Sequence, residues 1–113
     1  MKYMVMLTRG EWEETAPEDE RKRTYDTIGE WWGRQAGLGK IVEGHQLQPA
    51  HTATTVVLGL GGSKLIDGPY MEAKETIGGY AVVDVADLDE AIAILRTFPA
   101  PGGKAEIRPV VER

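Results

Sequence analysis

Two segments that lack a polar face constrain this chain most. In Lys2–Thr8 the alternation sets Tyr3, Val5 and Leu7 against Met4, Met6 and Thr8, and in Gly79–Val85 it sets Ala81, Val83 and Val85 against Tyr80 and Val82. A strand that alternates apolar with polar residues can leave one face in water, whereas a strand apolar on both faces must be covered twice. Any fold for this chain therefore needs two covers for the same pair of strands. A length of 113 residues gives room for one two-layer core and no second independent one, so a single domain over residues 1–113 is expected.

The intervening sequence supplies one cover. Thr15-Ala16-Pro17-Glu18 has the form of a helix start, with Thr15 as N-cap, Pro17 in the first turn and Glu18 as capping-box partner. The helix is expected to run to about Leu38, with Tyr25, Ile28, Trp32 and Gln35 or Ala36 on its inward stripe and Trp31 beside it. Gly29, Gly33, Gly37 and Gly39 weaken it, each internal glycine by about 1 kcal/mol relative to alanine, so tertiary packing must hold it. Asp87-Leu88-Asp89-Glu90 repeats the start signal, Leu88, Ala91, Ile92 and Leu95 form a second stripe, and Pro99 and Pro101 stop it.

Strands are expected at Lys40–Leu47, with Ile41, Glu43, His45 and Leu47 on one face, and at Thr52–Leu58 and Lys64–Ile66, which a glycine-rich loop joins as a hairpin. Asp67-Gly68-Pro69 supplies a turn, Met71–Glu75 a helical turn, and Ala105–Val111 a last strand. Pro109 cannot donate to a ladder and marks an edge or a strand end. The order is that of a ferredoxin-like split βαβ protomer in the α+β class. Two helices cover one face of its sheet. The apolar second face calls for a second subunit, and the expected assembly is a homodimer packed sheet to sheet as a dimeric α+β barrel.

Composition closes several routes. Without cysteine there is no disulfide framework, thiolate metal site or cysteine nucleophile, and a net charge of -5 argues against a nucleic-acid partner. Arg21-Lys22-Arg23, directly after Glu18-Asp19-Glu20, reads as the exposed charged face of a helix. No apolar run approaches the length of a membrane span, and the N-terminal MKYMVMLTRG lacks the apolar core and cleavage site of a signal peptide; no membrane partner and a cytoplasmic location are expected. His45 and His51 match no metal-ligand spacing, and the glycine loop leads into a strand rather than a helix N-terminus, so neither a metal nor another cofactor is expected.

Titratable and turn residues crowd together between Lys64 and Tyr80. Asp67 reads either as a turn residue that accepts backbone N–H groups or as a carboxylate that serves as a base or orients a histidine. His45 reads either as a satisfied interface histidine or as a general base. Lys74 beside Glu72 and Glu75 forms exposed ion pairs or meets an anionic ligand. Trp31 and Trp32 read as core and interface residues.

The run Asp67-Gly68-Pro69-Tyr70-Met71-Glu72-Ala73-Lys74-Glu75 with Gly78-Gly79-Tyr80 resembles the signature of the YCII-related family, in the subgroup of DGPF-domain proteins. Met1-Lys2-Tyr3-Met4, Gln48-Pro49-Ala50 with Thr52–Val56, Asp84–Ala91 and Arg108-Pro109-Val110 resemble it in the same order, so the likeness covers nearly the whole chain. Tyr70 stands where that subgroup usually has phenylalanine, and His51 where it often has a small residue. The resemblance implies a dimeric α+β barrel and little about reaction: some members are encoded beside extracytoplasmic-function sigma factors, and the wider superfamily includes muconolactone isomerase-like and chloromuconolactone dehalogenase-like enzymes. A histidine–aspartate pair proposed in relatives carries over to His45 and Asp67. The resulting expectation is a homodimer that binds a small organic molecule near Gly68, Pro69, Tyr70 and Lys74, with acid–base chemistry of lyase or isomerase type by His45 and Asp67. The alternative is a non-enzymatic binding or regulatory module linked to a sigma-factor stress response.

Overall fold

The computed structural model describes residues 1–59, 61–68 and 77–113. Its elements are β1 (Lys2–Thr8), α1 (Trp12–Thr15), α2 (Glu18–Gly37), β2 (Ile41–Gln46), β3 (Thr54–Val57), β4 (Lys64–Asp67), β5 (Ile77–Asp84), α3 (Leu88–Leu95) and β6 (Ala105–Pro109). Four strands form an antiparallel sheet in the order β2-β5-β1-β6, while β3 and β4 pair as a separate two-stranded sheet. With β1 and β2 parallel on either side of β5, this is the split βαβ arrangement that the element order implies, in an α+β protein.

The two strands without a polar face become the two central ones, which follows from the need to cover them twice. Tyr3, Val5, Ala81 and Val83 point to the helix side and are buried with Ile41, Val85, Trp31 and Ala91. Trp31 is 2% exposed, its Nε1–H donates to Thr97 Oγ1 at 2.8 Å, and its ring meets Phe98 edge-on at 5.2 Å. The deepest residue of α2 is therefore Trp31, whereas Trp32, which the sequence places on the inward stripe, is half-buried above β2. On the other face of the sheet, Met4, Met6, Tyr80 and Val82 meet across the β1–β5 ladder and are half-buried, with no element over them among the described residues.

Helix starts divide by mechanism. Asp87 caps α3 as expected, accepting the Glu90 N–H at 2.9 Å. Thr15 does not cap α2: it ends α1, its Oγ1 donates to the Glu11 carbonyl, and the extended Pro17 (φ -57°, ψ 151°) separates the two helices. Glu18, Asp19 and Glu20 in the first turn instead meet the positive end of the α2 dipole. Strand β6 stops at Pro109 on an edge of the sheet, where a residue without an N–H costs no ladder bond.

The radius of gyration is 16.0 Å, where about 13 Å is usual for a compact chain of this length. The excess fits the β3–β4 hairpin standing apart from the four-stranded sheet, with Leu58 and Leu65 85% and 71% exposed.

Candidate functional site

Strand β1 hands over to α1 through Arg9 and Gly10, and this corner is tied to α2 by one carboxylate. Glu13, 10% exposed, accepts the Gly10 N–H at 2.9 Å on Oε2 and the Tyr25 hydroxyl at 2.8 Å on Oε1. Arg9 lies 3.7 Å from Glu13 and 3.6 Å from Glu14, and Arg21 donates to the Glu13 carbonyl at 3.4 Å. Trp12 meets Tyr25 edge-on with ring centroids 5.0 Å apart. Burial, and then the hydrogen bond and charge of Glu13, raise the Tyr25 hydroxyl above its ordinary pKa, against the opposing pull of Arg9 and Arg21.

Between this corner and the sheet lies a cavity of about 630 Å³, walled by Trp12, Tyr25, Ile28 and Trp32 from the α1–α2 side and by Leu95 and Phe98 from the end of α3. Its size and aromatic walls fit the usual range for small-molecule sites, and Thr8, Glu13, Gln46, Arg96 and Lys104 add polar and charged groups to the lining. Glycines stand in its walls. Gly29 borders the cavity on α2, and a Cβ there would meet nothing within 4 Å. Gly44 lies on β2 beneath the Trp32 ring, where a Cβ would come within 2.5 Å of Trp32 Cζ2 and of the Tyr80 carbonyl. A second, more open groove of about 420 Å³ adjoins it, lined by Arg9, Gln46, Gln48 and neighbours, and shares Tyr25 and Gln46 with the cavity.

Of the residues singled out from sequence, His45 lies on β2 at the border of the cavity, and Asp67 and Gly68 lie at the end of β4. Strict alternation puts His45 on the face of Ile41, but the register slips between Ile41 and Glu43: Ile41 pairs with Val83 on the helix side, whereas Glu43 and His45 pair with Val82 and Tyr80 on the open side. One inserted residue exchanges the faces, as a bulge must when side chains alternate. His45 borders the cavity as part of β2, yet its ring is tilted against Tyr80 on the open face at 6.0 Å, and the Tyr80 hydroxyl lies 3.4 Å from Glu43. Asp67 ends β4 opposite Thr54, and Gly68, with φ 108°, donates to the Ala53 carbonyl and accepts from Thr55 Oγ1. No hydrogen bond or ion pair joins His45 to Asp67 among the described residues, and the two belong to different sheets. Pro69, Tyr70 and Lys74, with the helical turn expected at Met71–Glu75, lie outside the described residues.

Arg9, Trp12, Glu13 and Tyr25 were not legible as a group. From sequence, Arg9 to Glu14 reads as a turn, because α1 has only four residues and no side-chain cap, while Tyr25 reads as part of a helix stripe. The available signal was the carboxylate between two aromatic residues, Trp12 and Tyr25, one of them on a helix stripe.

An antiparallel sheet with helices on one face and an aromatic-walled cavity beneath them defines a small α+β domain; among the described residues it holds no cluster of metal-ligating side chains, and no helix is long and apolar enough to cross a membrane. The chain belongs to the YCII-related family, whose domain matches residues 1–113. It is also similar to an uncharacterised protein of Rhizobium meliloti (strain 1021), 33% identical over 75 residues that take in 64% of this chain and 60% of that protein's length. The matched part thus spans less than two thirds of that relative.

Proposed function

We propose that this YCII-related protein is a homodimer that holds a small organic molecule in the helix-side cavity. The observation that carries the binding reading is the cavity of about 630 Å³ with Trp12, Tyr25, Trp32 and Phe98 in its walls and the Glu13–Tyr25 hydrogen bond at one end. Flat rings present large apolar area at small entropic cost, so a ring-bearing molecule matches these walls best. The dimer reading is supported by the half-buried Met4, Met6, Tyr80 and Val82 on a sheet face that no element covers among the described residues. A two-stranded hairpin is marginal by itself in water, which adds a reason for β3–β4 to pack on a second copy. Acid–base chemistry by His45 and Asp67 requires the two to meet, and the binding reading does not use them.

Filling the cavity tests the binding reading. Gly29→Leu places a side chain in the space that α2 leaves open, and calorimetric titration with 2-naphthylmethanol should show binding to the wild type and none to this variant. Unchanged binding by a folded Gly29→Leu refutes the cavity as the site. Sedimentation velocity at micromolar concentration should give a dimer; a folded monomer refutes the assembly.

A further inference from the structure

Arg9 is largely buried, its side chain 19% exposed, but it is poorly paired. Its Nε is buried without a hydrogen-bond partner, and its contacts with Glu13 and Glu14, at 3.7 and 3.6 Å, are longer than hydrogen bonds. Arg21 shares the condition, with a buried Nε that has no partner. The charges do not balance inside the corner. Arg9 and Arg21 are both cationic, Glu13 is the less exposed of the two carboxylates at 10% and is already engaged by Gly10 and Tyr25, and Glu14 is 70% exposed to screening water. A buried Nε–H without an acceptor is costly, and the planar guanidinium presents its donors in the spacing that a carboxylate fills.

Arg9 also stands where a ligand of the cavity would reach. It lines the groove with Gln46 and Gln48, and that groove meets the aromatic cavity at Tyr25 and Gln46. The Arg9 stem fits there because Gly78 lacks a side chain: a Cβ on Gly78 would fall 2.8 Å from Arg9 Cγ. Resting on the small-molecule reading above, we infer that the occupant is an amphipathic anion, with an apolar ring between the aromatic walls and a carboxylate on Arg9 in the adjoining groove. The carboxylate replaces the loose, solvent-screened contact with Glu14 and leaves the Glu13–Tyr25 bond in place.

The test compares 2-naphthoate with 2-naphthamide, which keeps the ring and a carbonyl but lacks the charge, by calorimetric titration against the wild type, Arg9→Gln and Arg9→Lys. Wild type should bind the naphthoate at least about tenfold more tightly than the amide, as expected for a charge-assisted pair. Arg9→Gln should abolish that preference by weakening the naphthoate at least about tenfold more than the amide, and Arg9→Lys, which keeps the charge without the fork, should retain part of it. Equal affinity of the wild type for both probes, or a preference that survives in Arg9→Gln, overturns the carboxylate inference and leaves the cavity reading standing. Failure of both probes to bind the wild type overturns both. If Arg9→Gln does not fold, the wild-type comparison and Arg9→Lys decide.

Discussion

Adding one methyl group to two glycines of this chain should change stability in opposite directions. At Gly44 the new Cβ would fall 2.5 Å from Trp32 Cζ2, 2.8 Å from Cη2 and 2.5 Å from the Tyr80 carbonyl oxygen. The indole can tilt, at the expense of the cavity beside it, but the carbonyl belongs to the β2–β5 ladder and cannot retreat without breaking register. Overpacking of this kind costs about 1–3 kcal/mol, partly offset by about 0.4–1 kcal/mol from the stiffer unfolded chain. A net loss of about 1–2 kcal/mol is expected for Gly44→Ala. At Gly29 the methyl meets nothing within 4 Å, and the helix gains about 1 kcal/mol of propensity. At about 4 °C per kcal/mol for a domain of this size, the two melting temperatures should separate by about 8–12 °C. Urea unfolding followed by tryptophan fluorescence, with thermal scans beside it, measures both. A neutral or stabilising Gly44→Ala refutes the close seating of Trp32 on β2, and with it the shape given to the cavity floor.

Three further outcomes follow from individual contacts. Trp31→Ala removes a 2%-exposed indole and its bond to Thr97, and should cost about 3–5 kcal/mol in denaturant unfolding; a loss under 1 kcal/mol would contradict its place in the core. Asp87→Ala leaves the Glu90 N–H without its cap and should cost about 1 kcal/mol, whereas Thr15→Ala, which removes no cap, should cost less; equal losses would contradict the assignment. Tyr25 should ionise above the ordinary value of 10 in an ultraviolet titration, and Tyr25→Phe should remove that component. Because the folded pKa is raised, the native state holds the proton longer: the stabilisation is complete below about pH 10 and is lost as pH rises through the raised value. A titration in which Tyr25→Phe removes an ordinary component instead would contradict the Glu13–Tyr25 bond.

The sheet was legible in the sequence because its central strands betray their double burial, and α3 because Asp87 sits next to a clean apolar stripe. What escaped has a physical common ground. A bulge such as that between Ile41 and Glu43 leaves no mark on an alternating pattern, since the inserted residue is ordinary in type, and it moved His45 to the face opposite Ile41. The four-residue α1 is too short for periodicity to register, so Pro17 was read as lying inside one helix when it divides two. The cavity rests on pairs distant in sequence, Glu13 with Tyr25 and Trp32 with Gly44, and on the absence of side chains at Gly29 and Gly44. Glycine on a helix reads as weakness until the space it leaves is seen.

Ligand is expected on the helix side of the sheet rather than on its open face. Nitrogen-15 and carbon-13 NMR of the wild-type protein titrated with 2-naphthylmethanol tests it directly, because the reporters separate cleanly: the indole N–H signals of Trp12 and Trp32 for the cavity, the methyl groups of Met4 and Met6 and the ring of Tyr80 for the open face. Saturable shifts of the two indoles with the open-face signals unmoved are the predicted result, and shifts confined to Met4, Met6 and Tyr80 would contradict it.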